Sequence, residues 1–381
     1  MKAKVANPQK SLKVALVYDR VNTPYGGAEK LLQTLHELYP FSPLYTSLYD
    51  QKLAPWADIF EVRPSFLNKI PFLKNKHRLV AFLMPIAFES FDFSEFDLVI
   101  SITSAEAKGI ITLPNTTHIC YLLTPPRYLY SHRNFYLQTK LIFKIPILKF
   151  FAKKFLDYLI FWDQIAIHRP DTIIPISKIV QERTKKYYDL KTENPIYPTL
   201  INSSLSTKTT PPPKTEKYFL IISRLVSYKK IDLAIKACQQ LNKKLIIVGE
   251  GPEKENLQKL ITKPTLIKLA GSTTQKKLNQ LYQNCSALLM IGEEDFGIVA
   301  LEAWAFGKPV IINQKSGASE LVTHKKTGLL LKKVDLSGIK TALLEVEQHH
   351  WQPAIIKARA RKYNQVGFKR QFASALKNAL Q

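Results

Sequence analysis

Acidic residues are scarce in this chain of 381 residues: 30 aspartates and glutamates face 55 lysines and arginines, a formal net charge of +25. Such an excess implies an anionic partner, whether a membrane surface, nucleic acid or a phosphorylated substrate, with lysine-rich coding bias as the plain alternative. Cysteine is scarcer still. Cys120, Cys238 and Cys285 lie far apart in apolar or helical contexts, which excludes a disulfide framework and a cysteine zinc site and fits a reducing compartment. No apolar run reaches bilayer-spanning length, and no apolar core of the signal-peptide kind precedes the first strand, so neither a spanning helix nor a leader is expected. Repeats and low-complexity tracts are missing as well, which excludes a solenoid and a disordered chain. There is no Asp-x-Asp and no cluster of histidines and carboxylates at metal-ligand spacing.

What is present is a globular composition, 46% hydrophobic, in a chain longer than one core usually serves, so two domains are expected. Strand-like stretches, among them 43–48, 58–62, 97–101, 118–122 and 328–331, alternate throughout with helix-like ones such as 76–88, the pattern of parallel, doubly wound sheets. The most informative stretch is 294–312, EDFGIVALEAWAFGKPVII. Residues 286–291 read as a buried strand, 292–295 as a loop, 296–306 as a helix ended by Gly307 and Pro309, and 310–312 as the next strand. Glu302 then shares a helical face with Ile298, Val299, Ala305 and Phe306, where a buried charge is costly: either a polar ligand supplies its partner, or the side chain snorkels out or caps a neighbour. Glu294 falls in the loop at the strand's carboxyl end, where open α/β sheets bind ligands, and Phe296, Gly297 and Ile298 open the helix with backbone amides suited to an anion.

A second strand-to-helix turn carries two cations. Residues 218–223 form a strand, Arg224 follows it, and Lys229 precedes the helix that carries Ile231 and Leu233. Forked donors and a point charge at one turn form the outline of a diphosphate clamp that needs no metal. Near the start of the chain, strand 12–18 runs through Gly26-Gly27-Ala28-Glu29 into a helix, and glycines there let a phosphate approach the backbone.

These residues carry a resemblance. Glu294-x7-Glu302, with Asp295-Phe296-Gly297-Ile298 inside it and EAWAFGKPVI after it, resembles the E-x7-E motif of family 4 glycosyltransferases, retaining enzymes that use nucleotide sugars and have two Rossmann-like domains. SRLVSYK is similar to the family's SRLxxxK, with Lys230 where glycine is often found. GEGPE, from Gly249 to Glu253, resembles its GxGPE turn. TPPRY, from Thr124 to Tyr128, resembles a segment on the acceptor side that often has histidine where this chain has Leu123. Asp163, Asp171 and Ser177 resemble the stretch that closes the first domain, and Gly317 with Glu320 a later turn.

The resemblance implies two Rossmann-like domains facing a cleft: 1–200 on the acceptor side, a linker at 201–217, a nucleotide-sugar domain at 218–365, and a C-terminal helix at 366–381 that packs back on the first domain. It implies Glu294, Arg224 and Lys229 as the catalytic set, with Glu294 holding sugar hydroxyls. Glu302, Phe296, Gly297, Ile298, Gly27, Gly251, Gly271 and Ser272 would bind the donor, and Arg127 and Tyr128 would lie toward the acceptor. No metal is implied, the nucleotide sugar being a co-substrate; Glu293, Glu294 and Asp295 are the minority cation-binding alternative. The phrases SRLVSYKKIDLAI and TPPRYLY are most similar to a bacterial mannosyltransferase branch, which points to GDP-mannose and a lipid-linked or polysaccharide-type acceptor. The alternatives are a UDP-glucose or UDP-galactose donor and, from another class, a non-catalytic basic protein that binds membrane or nucleic acid. The intact pairs Glu294/Glu302 and Arg224/Lys229, and the absence of a nucleic-acid module, argue against that last reading.

From Arg127 to Leu156 there is no acid, and Arg127, Arg133, Lys140, Lys144, Lys149, Lys153 and Lys154 alternate with aromatic and aliphatic residues. Either this is a surface helix with solvated lysines, or it is an in-plane contact with an anionic leaflet, placing the protein on the cytoplasmic face of the cell membrane.

Overall fold

The computed structural model describes residues 12–70, 77–133, 146–200 and 217–380. They form two compact units. Unit 1 holds the chain up to Pro175, Val180–Pro195 and the described residues from Ala373 onward, and unit 2 holds Ile176–Ile179 and Ile196–Phe372. The linker expected at 201–217 lies, except for Lys217, outside the described residues.

Unit 1 is built on β1 (Val14–Tyr18), β2 (Leu44–Thr46), β3 (Val62–Pro64), β4 (Leu98–Thr103), β5 (Thr117–Leu122) and β6 (Thr172–Pro175). Its described helices are α1 (Gly27–His36), α2 (Met84–Glu89), α3 (Pro146–Ala166) and most of α4 (Lys178–Tyr188). Unit 2 contains β7 (Tyr218–Ile222), α5 (Ile231–Gln240), β8 (Leu245–Val248), α6 (Lys254–Lys259), β9 (Ile267–Gly271), α7 (Gln275–Asn284) and β10 (Cys285–Met290). It continues through α8 (Val299–Ala305), β11 (Val310–Asn313), β12 (Gly328–Leu331), α9 (Leu336–Gln348) and α10 (Pro353–Arg361). The last helix, α11 (Gln365–Ala379), begins in unit 2 and ends in unit 1.

Both sheets are six-stranded and parallel. The central strands are buried on both faces, which explains why they read as continuous apolar runs such as VALVY and LVISIT. In unit 1 the order is β3-β2-β1-β4-β5-β6; in unit 2 it is β12-β11-β10-β7-β8-β9, the same doubly wound order. The winding therefore reverses between β1 and β4 and between β7 and β10, and the carboxyl ends of those pairs flank the crevice where such sheets take ligands.

Three local expectations are corrected. Residues 58–62 are not a strand: Pro55 starts a 3-10 turn, Pro55–Ile59, that buries Trp56, and the strand is Val62–Pro64. Nor is 76–88 one helix. His77–Leu83 is 3-10 broken by a kink at Val80, and a new α-helix starts at Met84 with Pro85 in its first turn, where a missing N–H is harmless. The helix expected from Phe296 begins at Val299, because Gly297 has φ +94°, outside the right-handed region.

A buried ion pair organises unit 1. Lys108, fully buried, places its ammonium 2.5 Å from Asp163, whose carboxylate also accepts from the phenols of Tyr130 at 2.8 Å and Tyr188 at 2.7 Å. Each member of that network is satisfied, the condition under which a buried charge is tolerated. Asp171 accepts the backbone N–H of His118 at 2.7 Å, tying the start of β5 to the turn before β6. His118 itself is a core residue, bonded through Nε2 to Ser101 at 2.8 Å, and burial with nearby Arg169 lowers its pKa to about 3, so the ring is neutral. The three cysteines are free and buried, with burial pushing each thiol up to about 12.

Candidate functional site

The crevice of unit 2 is assembled from the loops after β7, β10 and β11. After β7, Val226 leads into a single 3-10 turn, Ser227–Lys229, closed by Lys230 in the left-handed region at φ +55°. That turn aims the Lys229 ammonium at Glu294, in the loop after β10, and the two form an ion pair with side chains 10% and 24% exposed. The crossing of these loops requires Gly292. A Cβ there would sit 2.4 Å from the Lys229 Cα and 2.6 Å from the Tyr228 carbonyl oxygen. Beneath the pair is a cavity of about 10 Å³, room for a single water, lined among others by Ser223, Met290 and Gly292.

The loop after β11 holds the Glu294 loop from below. Asn313 donates to the Ile291 carbonyl at 3.0 Å, Ser316 Oγ donates to the Gly292 carbonyl at 3.1 Å and accepts from the Glu294 N–H at 3.2 Å, and the Gly317 N–H donates to the Glu294 carbonyl at 3.0 Å. Glu294 is thus fixed at its backbone while its carboxylate stays partly exposed. Glu320, just beyond, accepts from the amides of Lys178 and Ile179 at 3.1 and 2.9 Å and from the Tyr197 phenol at 2.8 Å, capping the first turn of α4.

Arg224 is exposed and donates through Nη2 to the Tyr228 phenol at 3.0 Å. Its loop is seated by the GEGPE turn: the Leu225 N–H donates to Glu250 at 2.9 Å, the Glu253 N–H returns to Leu225 at 3.1 Å, and a Cβ on Gly251 would lie 2.3 Å from the Leu225 carbonyl oxygen. Gly251 is therefore seated against the arginine loop. Gly271 accepts the Gly249 N–H at 2.8 Å, and Ser272 beyond it is exposed. Phe296 is buried, its ring 6.0 Å from that of Tyr197, so only its backbone faces the loop; Gly297 and Ile298 are half-buried.

Glu302 faces inward. It is 3% exposed and accepts from the Tyr282 phenol at 2.6 Å, with that ring stacked on Phe306 at 5.5 Å. Burial first, and the carboxylate second, push the Tyr282 pKa well up, so the phenol keeps its proton for this bond.

The crevice of unit 1 has a different lining. Asp19, after β1, accepts from Thr103 Oγ1 at 2.6 Å, the Ser104 N–H at 2.7 Å and the Ala107 N–H at 3.0 Å, closing the loop after β4 over β1. Gly27 is the exposed first residue of α1; next to it the Gly26 N–H donates to buried Glu29 at 3.0 Å, and Tyr18 donates to the same carboxyl at 2.8 Å. Tyr128 donates to buried Glu106 at 2.8 Å, Arg20 lies 3.9 Å from the other oxygen of Glu106, and Arg127 is half-buried beside them in sequence. Burial raises the carboxyl pKa values of both Glu29 and Glu106.

Residues 204–363 match the family described as Glycosyl transferases group 1. The colanic acid biosynthesis glycosyltransferase WcaL of Salmonella typhimurium, itself described as putative in its function, is 28% identical over 176 residues, 41% of this chain and 43% of that protein. A GDP-mannose-dependent phosphatidylinositol monomannoside mannosyltransferase of Mycobacterium tuberculosis is 30% identical over 141 residues, 33% of this chain and 37% of that protein. The chain thus spans less than half the length of these curated relatives. Among solved structures, Anabaena HepE in complex with UDP superposes over 96% of this chain and 100% of its own, with a TM-score of 0.68 at 19% identity. The fold is the two-domain glycosyltransferase fold.

Within that glycosyltransferase fold, the matched stretch contains Arg224, Lys229, Gly251, Gly271, Ser272, Glu294, Phe296, Gly297, Ile298 and Glu302. Lys229 and Glu294 are in contact and Arg224 is linked to Lys229's neighbour; Glu302 is directed into the core. Gly27, Arg127 and Tyr128 belong to the other unit. Sequence reasoning missed Gly292, Asn313, Ser316, Asp19 and Glu106. Each lies at or just beyond the carboxyl end of a parallel strand, and that position was the available signal.

Proposed function

We propose that the chain is a retaining hexosyltransferase that moves a hexose from a nucleoside-diphosphate sugar to a lipid-linked or polysaccharide-type acceptor. The observation that carries this reading is the Lys229–Glu294 pair at the reversal point of unit 2, with Arg224 on the same loop as Lys229. The reaction breaks the bond from the anomeric carbon to the diphosphate and forms one to an acceptor hydroxyl on the same face of the sugar. In the front-face course implied by the family resemblance, the acceptor proton passes to the departing phosphate, so no separate base is needed. Lys229 and Arg224 neutralise the departing diphosphate, and Glu294 accepts from sugar hydroxyls. These cations fill the role a divalent ion would otherwise have, and transfer without metal is part of the proposal.

GDP-mannose is the first donor proposed, on the sequence phrases and on the mannosyltransferase relative; UDP-glucose and UDP-galactose are the alternatives. A panel of sugar nucleotides decides, scored by thermal stabilisation and nucleotide release in excess chelator. The expected result is release from one donor, lowered at least 100-fold in Arg224→Ala and Glu294→Ala proteins that stay folded by circular dichroism. Folded variants with wild-type turnover would remove these residues from the reaction. Release that requires magnesium would restore Glu293, Glu294 and Asp295 as ligands, and no release from any donor would favour the non-catalytic alternative.

A lipid-linked acceptor lies at a bilayer surface, and α3 has a face suited to one. Phe151 and Phe161 are 62% and 67% exposed, with Phe150, Tyr158 and Ile165 also exposed beside Lys153 and Lys154. No helix among the described residues is long and apolar enough to cross a membrane, so the contact proposed is in-plane, on the cytoplasmic leaflet. Of the basic segment 127–156, residues 134–145 lie outside the described residues.

A further inference from the structure

Tyr228 lies between the two cations of the loop after β7. Its phenolic oxygen accepts from Arg224 Nη2 at 3.0 Å, and the Lys229 ammonium lies 5.1 Å from the centre of its ring. One side chain therefore touches both cations of the loop, through two kinds of contact: a hydrogen bond at the hydroxyl and a cation–π contact at the ring.

The backbone beneath it is tightly constrained. Tyr228 is the middle residue of the turn Ser227–Lys229, which ends in left-handed Lys230, and its carbonyl oxygen lies where a Cβ on Gly292 would come within 2.6 Å. The Lys229 N–H donates to the Val226 carbonyl at 3.0 Å, closing the turn from the other side. Arg224, in contrast, is an exposed, long side chain at the start of the loop. A guanidinium free to sample water has to be ordered when an anion arrives, whereas one already bonded to a fixed phenol does not.

We infer that Tyr228 is a positioning residue for diphosphate recognition: its hydroxyl orders Arg224 and its ring supports Lys229, so that the two cations are presented together to a nucleoside diphosphate. The inference rests on the reading of Arg224 and Lys229 as the diphosphate clamp. The role divides between the two parts of the side chain. Tyr228→Phe removes only the hydrogen bond, and Tyr228→Leu removes both contacts.

The test measures binding of inorganic pyrophosphate, GDP and UDP by calorimetry to the full chain, wild type and variants, with melting temperature as a control. Tyr228→Phe weakens binding about five- to tenfold, the scale of one net hydrogen bond, with the melting temperature unchanged, and Tyr228→Leu weakens it further. In an Arg224→Ala background, Tyr228→Phe has no added effect, because the group through which it acts is gone. An equal loss with Arg224 present or absent overturns the inference, as does wild-type affinity in Tyr228→Phe when Arg224→Ala has lost affinity. If Arg224→Ala and Lys229→Ala both bind pyrophosphate as the wild type does, it is the clamp reading itself that has failed.

Discussion

The two units share strand order and reversal point, yet their crevices carry opposite chemistry. In unit 1 the loops after β1 and β4 are joined by Asp19 and flanked by buried Glu29 and Glu106, acids whose oxygens are largely taken up by hydroxyls and amides of their own chain. In unit 2 the corresponding loops present Lys229, Arg224 and a partly exposed Glu294. A parallel sheet supplies the place for a ligand and leaves its sign to a few loop residues.

The comparison is broken most severely at Lys108. Replacing it with alanine leaves Asp163 charged and buried in unit 1, and urea unfolding should show a loss of about 3–5 kcal/mol. Lys229→Ala opens a pair that water already reaches, and the same experiment should show a loss of about 1 kcal/mol or less. Similar losses in both would mean that the unit 2 pair is structural rather than held for a ligand.

A smaller effect should separate the units by pH. His118 has its pKa lowered to about 3 in the folded protein, against about 6.5 unfolded. Between those values the unfolded chain binds the extra proton, so the stability contribution is complete above pH 6.5 and is lost as pH falls toward 3, at up to about 1.4 kcal/mol per pH unit. Glu29 and Glu106, with raised values, act in the opposite direction, so the informative quantity is the difference between wild type and His118→Asn across pH 7 to 4.5. A constant difference would mean that His118 does not titrate between the folded and unfolded states.

The smallest change should sharpen unit 2. Lys230 holds a left-handed conformation that side chains disfavour, and glycine accepts it freely, so Lys230→Gly should stabilise by about 1 kcal/mol or less without altering diphosphate affinity. A gain in stability with lost affinity would show that the Lys230 side chain reaches the ligand.

Much of the fold was legible because strands buried on both faces are apolar without interruption: β12 was expected at its observed bounds, and β1, β4, β5, β7, β10 and β11 within a few residues of theirs. The misreadings occurred where one residue overrides a pattern: Pro55 and Pro85 restart the chain, and Gly297 delays α8 by its backbone angle. In the site, Lys229 and Glu294 could each be chosen by motif, but their contact could not, since it depends on Gly292 letting two distant loops cross. Glu302 shows the reverse. Its apolar face was apparent, but not that it accepts a hydrogen bond from Tyr282, which sits on another helix and carries no motif of its own.

Because α11 ends in unit 1 while most of unit 2 precedes it in the chain, the two units cannot be finished in the order in which they begin. A ribosome delivers β1 to β6 first, yet residues 373–380 of the same unit emerge only after β12, α9 and α10 have been made. Domains that fold as they are synthesised usually do so one after the other. Here residues 373–380 can join the first unit only after the chain of the second has been made.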